Sequence, residues 1–297
     1  MEIKNILVPS DFSDTARHAL ANALAIAAMH QARITLLHVV TVYDDDPYNP
    51  SQTFPDLDDY YDHLEERAGA QFAETISRNE LKHIPIEYVI RRGFSPHEEI
   101  LTYLSEKEID FIALGTHSRK PLARFFLGSV AENIVHHASC PVLTVRIDDG
   151  DARVPVYKNI LVPTDFSEQS KRALTLATSL LQPDGALYVL HVVEEALQPA
   201  YFTVEGDAIL QIMPKIRERS QAMLDDMIKE CVPATVRAEA LVKEGRISTT
   251  IVEFAEEKQC DLIAMGTHGM NALGQIIIGS QANRVIRKAA CPVVTIK

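Results

Sequence analysis

The sequence predicts two tandem α/β domains, each a doubly wound parallel sheet of five strands, and three observations lead there. The first is an internal repeat. Lys4-Asn5-Ile6-Leu7-Val8-Pro9-Ser10-Asp11-Phe12-Ser13 returns as Lys158-Asn159-Ile160-Leu161-Val162-Pro163-Thr164-Asp165-Phe166-Ser167, and the lag drifts only from 154 at the Asp to 151 at Gly115 and Gly266, so whole domains are duplicated. The second is alternation of strand-like and helix-period patterns within each copy, which implies a parallel sheet with helices between its strands. The third is that the repeated polar and glycine residues follow strands one, two and four, where such sheets hold ligands beyond the carboxyl ends at the reversal of strand order.

In the first copy Ile3 to Val8 is a short apolar strand, and Ser13 opens a helix carried by Ala16, Ala19, Leu20, Ala23, Leu24 and Ala27. A strand at Ile34 to Val40 follows, then an acidic segment and a helix to about Asn79. Strand Ile86 to Ile90 leads to a helix begun by Ser95-Pro96-His97-Glu98, where Ser95 and Glu98 have capping-box spacing. Strand Phe111 to Leu114, a helix from about Val130 to His137 and a strand at Val142 to Ile147 close the unit. The second copy repeats this order through Ala186 to Val193, Val236 to Val242, Leu262 to Met265 and Val293 to Ile296. Domains are expected at 1–147 and 157–297. The polar stretch 148–156, with Gly150 and Pro155, is the linker.

A formal charge of −12 argues against nucleic acid as the main partner, because phosphate backbones are held by clustered Lys and Arg. No apolar run approaches the roughly 18 residues of a membrane span, and Met1-Glu2-Ile3-Lys4 leads into a strand rather than a signal region, so no membrane partner is expected and the cytoplasm is the expected compartment. Cys140, Cys231, Cys260 and Cys291 form no CxxC pair and are expected as free thiols. The acids Asp44 to Asp46 and Asp56 to Glu66 read as a solvated loop and helix face.

The second copy reads Gly266-Thr267-His268-Gly269, nine residues, then Gly279-Ser280 at a helix start. Glycines allow positive φ and close approach of backbone amides to a phosphate, and the free amides of a helix start form an anion site. The same letters would arise if the glycines only turned the chain and Ser280 only capped its helix. Neither GxxxxGK[ST] nor GxGxxG is present.

On these residues the chain resembles a tandem universal stress protein, and the resemblance covers nearly all of both halves. The nucleotide-binding branch of that family is similar in carrying GxxG, nine residues and GS or GT, with a PTDFS-like segment and an LLHV-like second strand. The resemblance implies a Rossmann-like fold of the adenine nucleotide alpha hydrolase type. It also implies a site of Pro163, Thr164 and Asp165 near ribose and adenine, the backbone of Val192 at adenine, and Gly266, Gly269, Gly279 and Ser280 around the phosphates. The first-copy counterparts are Asp11, Val39, Gly115, Ser118, Gly128 and Ser129. Ser118 departs from the pattern where the family has glycine, and a Cβ there strains a positive φ or crowds a phosphate. The nearby Arg119, Lys120 and Arg124 supply positive charge in return. Tight nucleotide binding is therefore expected in the second copy.

The expected function is a stress-response regulator that binds ATP, or AMP or ADP, in the C-terminal domain. Met270 to Ile278 contains no Lys or Arg, so Mg²⁺ or Mn²⁺ is expected to neutralise the phosphates. The alternatives are a slow ATPase or phosphotransfer enzyme and a nucleotide-free interaction scaffold. No catalytic residue is assigned: His117 and His268 have no nucleophile beside them, and His136, His137 and Cys140 lack a second ligand pair for zinc. The resemblance also implies pairing through the last strand of each copy, as an intramolecular pseudo-dimer that leaves other surfaces for a homodimer.

Overall fold

Ile6-Leu7-Val8 and Ile160-Leu161-Val162 are apolar at every position, the pattern of strands covered on both faces, and all six side chains are fully buried. The computed structural model describes residues 2–42, 57–78, 83–116, 127–146, 152–194, 206–267 and 279–297, apart from the side chains of 206–212. There these triplets lie in the central strands of two parallel sheets. The chain divides into a first unit ending at Val154 and a second beginning at Pro155.

The first unit runs β1 (Asn5–Pro9), α1 (Asp14–His30), β2 (Arg33–Thr41), α2 (Leu57–Ser77), β3 (Ile86–Gly93), α3 (Pro96–Glu106), β4 (Phe111–Gly115), α4 (Ser129–His137) and β5 (Val142–Val145). The second repeats it as β6 (Asn159–Pro163), α5 (Glu168–Leu180), β7 (Ala186–Glu194), α6 (Gly206–Cys231), β8 (Arg237–Gly245), α7 (Ile247–Glu257), β9 (Leu262–Gly266), α8 (Ser280–Lys288) and β10 (Val293–Ile296). Strand order is β3-β2-β1-β4-β5 in one and β8-β7-β6-β9-β10 in the other, with neighbours parallel. Order reverses beside β1 and β6, whose carboxyl ends release Ser10-Asp11 and Thr164-Asp165. Each apolar side chain these strands remove from water stabilises the fold by roughly 1.5–3 kcal/mol.

One carboxylate fixes the register at the start of each central strand. Asp110 Oδ2 accepts the amides of Lys4 and Asn5, both at 2.9 Å, and Asp261 Oδ2 accepts those of Lys158 and Asn159, both at 2.8 Å. Ile6 then lies beside Phe111, and Ile160 beside Leu262.

Ser13 and Ser167 cap α1 and α5, each accepting an amide three residues on at 3.3 Å. The capping box expected of Ser95 and Glu98 does not form. Ser95 Oγ instead meets His97 Nδ1 at 2.8 Å, and Pro96 offers no amide. β3 and β8 run three residues past their expected ends because they keep pairing with β2 and β7 as far as Gly93 and Gly245. Their charged residues are tolerated because these outer strands reach solvent.

Candidate functional site

The turn after each central strand contains a strained residue. Phe12 and Phe166 have φ of 62° and 67°, the left-handed region that costs a side-chain-bearing residue about 1–2 kcal/mol. Four contacts hold each turn. The Phe12 amide donates to Ser10 Oγ at 3.1 Å and the Ser13 amide to Asp11 Oδ1 at 3.0 Å. In the second half Phe166 donates to Thr164 Oγ1 at 2.9 Å and Ser167 to Asp165 Oδ1 at 3.1 Å. The Phe12 ring then packs on His38 at 4.7 Å, and Phe166 on His191 at 4.5 Å. Each histidine bonds through Nδ1 to the carbonyl of Ser10 or Thr164, at 2.8 and 2.9 Å. A carbonyl only accepts, so Nδ1 carries the proton. His38 and His191 sit within their strands, not at the ends, and serve these turns.

In the second half, Pro163, Thr164, Asp165, Val192, Gly266, Gly279 and Ser280 line one cavity of about 320 Å³. The first-half cavity is larger, about 460 Å³, and gathers Asp11, Val39, Gly115, Gly128 and Ser129. Both open at the strand-order reversal. Gly269 and Ser118 lie outside the described residues, as do His117, His268, Arg119, Lys120 and Arg124.

The described glycines of the two sites serve close packing rather than positive φ. Gly128 and Gly279 have φ of −61° and −56° as the residues preceding α4 and α8. A Cβ on Gly128 would stand 2.8 Å from the Thr116 carbonyl oxygen, and one on Gly279 would stand 3.2 Å from that of Thr267. The amides of these glycines donate to the same two carbonyls, at 2.8 and 2.7 Å. A side chain would prise the helix start from the strand end. Since Gly279 is the cap residue, Ser280 is the first helical residue and does not cap. Among the described residues neither helix start has a side-chain cap bond, and the first residues of each helix line its cavity.

Electrostatics separates the halves. α8 has no acid in its first turn, whereas α4 carries Glu132 there, opposing an anion by the fraction of a kcal/mol that a charge near a helix terminus contributes. Asp165 is further fixed by Ser170, whose hydroxyl donates to Oδ1 at 2.9 Å; Ala16 occupies the matching position in the first half. Ser170 escaped the sequence reading because nothing in its spacing separates it from an ordinary first-turn serine. The Cys260 thiol is pushed up to about 12 by burial and by Asp261, so it stays protonated at neutral pH. Among the described residues no group of three His, Cys, Asp or Glu side chains has metal-binding geometry, and no helix is long and apolar enough to cross a membrane.

Two copies of a parallel α/β unit, each with a cavity where strand order reverses, define a tandem protein of the doubly wound class. The model of the universal stress protein family matches residues 2–146 and again 156–297, and the chain belongs to that family. It is similar to a universal stress protein of Methanocaldococcus jannaschii, 37% identical over 144 residues, which is 48% of this chain and 83% of that one. One of Mycolicibacterium smegmatis is 27% identical across 98% of this chain and 96% of its own. The crystal structure of a universal stress protein from Archaeoglobus fulgidus matches the fold with a TM-score of 0.73 at 23% identity, covering 100% of this chain and 99% of that one.

Proposed function

We propose that the chain is a stress-response regulator that binds an adenine nucleotide, ATP foremost, in its second half. The observation that carries this reading is the convergence of Asp165, Val192, Gly266, Gly279 and Ser280 on one cavity. Asp165, held by Ser167 and Ser170, offers a carboxylate for ribose hydroxyls. The open start of α8 offers amides and a dipole for phosphate oxygens. The apolar side chains of Ile247, Ile251 and Met265 suit a purine face.

Among the described residues lining this cavity Asp165 is the one carboxylate, so the proposed Mg²⁺ or Mn²⁺ would be held chiefly by the phosphates. Its contribution is neutralisation of phosphate charge. The residues of the chain orient the nucleotide, and among the described residues no role in turnover is assigned.

Denaturing freshly purified protein and identifying the released small molecules tests the reading directly, with calorimetric titration of ATP beside it. The expected result is one adenine nucleotide per chain, bound more tightly with Mg²⁺ than with EDTA. Equal affinity under both conditions removes the metal, and two equal sites remove the asymmetry between halves. If neither released nucleotide nor ATP affinity is found, the scaffold reading replaces this one. Turnover lost in His268→Ala while ATP still binds would favour the enzyme.

A further inference from the structure

A second cavity of the C-terminal half, about 330 Å³, lies where the start of α7 (Arg246, Ser248, Thr249) meets α8 (Gln281, Arg284, Lys288). It adjoins the candidate nucleotide cavity, with Ile247 and Gln281 in the walls of both. Four observations describe its chemistry. Arg246, Arg284 and Lys288 bring three cations to it against the single carboxylate of Glu194, and among the described residues none of the three is in an ion pair. The amides of Ile247, Ser248 and Thr249 precede the first helical hydrogen bond, from Thr250 to the Arg246 carbonyl, and α7 has neither a side-chain cap nor an acid in its first turn. Ser248 is only 4% exposed, and its hydroxyl makes no hydrogen bond among the described residues. Gln281 Oε1 is buried without a partner, and turning that amide would present its NH₂ instead.

Among the described residues the matching positions of the first half carry different groups. At the matching positions α3 begins with Ser95 and Pro96 and carries Glu98 and Glu99 in its first turn, and α4 has Asn133 and His137 where α8 has Arg284 and Lys288. The repeat has kept the cavity at the sheet edge in both halves, but these cations belong to one.

We propose that this cavity is an anion site that takes a phosphate group. The three cations outweigh Glu194 and, with the free helix amides, suit the charge of phosphate oxygens, while Ser248 and Gln281 supply neutral donors. The phosphate has two possible sources: free inorganic phosphate, or a phosphate borne by the ligand of the adjoining cavity. Only the second rests on the nucleotide reading.

The test uses the full chain and the double variant Arg246→Ala/Arg284→Ala. Both side chains are exposed, so the fold should survive, and circular dichroism checks it. Inorganic phosphate and ATP are titrated separately into parent and variant. A phosphate affinity at least tenfold weaker in the variant, and falling with added salt in the parent, supports a site for free phosphate, even if ATP binds neither protein and the nucleotide reading fails. Unchanged phosphate affinity with a tenfold loss for ATP supports the nucleotide-borne source. Equal affinities of parent and variant for both probes, including no binding of either, overturn the proposal.

Discussion

The cavity edges of the two halves share a backbone and differ in lining. Each has a left-handed phenylalanine, an aspartate that accepts an amide two residues on, a histidine tied to a carbonyl, and a glycine pressed against a strand end. Around that scaffold the first half places Glu132 and Ala16, and the second Asn283 and Ser170. The described walls of the first cavity do not close it, since it is the larger of the two. On the proposed reading, a first half without nucleotide therefore needs no collapse of the pocket.

The largest expected difference concerns support behind the pocket. Phe72 is buried between Phe12, at 4.8 Å, and Tyr88, at 5.5 Å, whereas in the second half Met227 lies under the turn, its sulfur 3.4 Å from Thr164 Oγ1. Phe72→Ala should cost about 3–5 kcal/mol. Scanning calorimetry should then show the first half melting ahead of the second; a single unshifted transition would break the claim that aromatic packing holds this half.

Gly279→Val should reduce ATP affinity about a hundredfold, near 2.7 kcal/mol, because the branched side chain meets the Thr267 carbonyl and displaces the start of α8. Gly128→Val makes the closer clash, with Thr116, and should scarcely change ATP binding. Titration of both variants is decisive, and equal losses would make both cavities nucleotide sites.

Asp110→Ala and Asp261→Ala sharpen the comparison from its symmetric side. Each removes an acceptor from two strand amides and should cost about 1–3 kcal/mol, alike in both halves, as read by urea denaturation. A large inequality would show that one central strand is held by something else.

The smallest effect is a charge exchange at the helix starts. Asn283→Glu should weaken ATP binding about two- to fivefold, the equivalent of 0.3–1 kcal/mol, by placing an acid where α8 has none. Unchanged affinity would remove Glu132 from the explanation of the asymmetry.

Much of this architecture is legible in the letters. Continuous apolar triplets mark the central strands because burial on both faces leaves no polar position, and Ser13 and Ser167 mark helix starts because their hydroxyls satisfy free amides. The convergence of Asp165, Val192 and Gly266 follows from strand order. Other features depend on three-dimensional competition. Ser95 turns to His97 instead of the helix, and Gly279 is needed for contact with Thr267 at an ordinary φ. The left-handed Phe12 and Phe166 carry no composition signal, since their strain is offset by histidines 26 and 25 residues downstream. The Arg246, Arg284 and Lys288 cluster spans two helices whose meeting no periodicity reports.

The carboxylate clamp has a consequence for synthesis. β1 is made first yet finds its second neighbour, β4, only after about a hundred residues, when Asp110 and Phe111 emerge to bind Lys4, Asn5 and Ile6. Until then one edge of an apolar strand stands open on the ribosome, and at 5–20 residues per second that interval lasts roughly 5–20 s. The sequence meets this delay with an early partner: Arg33 to Leu37 pairs along the whole of β1 and forms its other edge within the first forty residues. The duplicated chain must pass through the same interval twice, since Asp261 closes the second clamp as late as Asp110 closes the first.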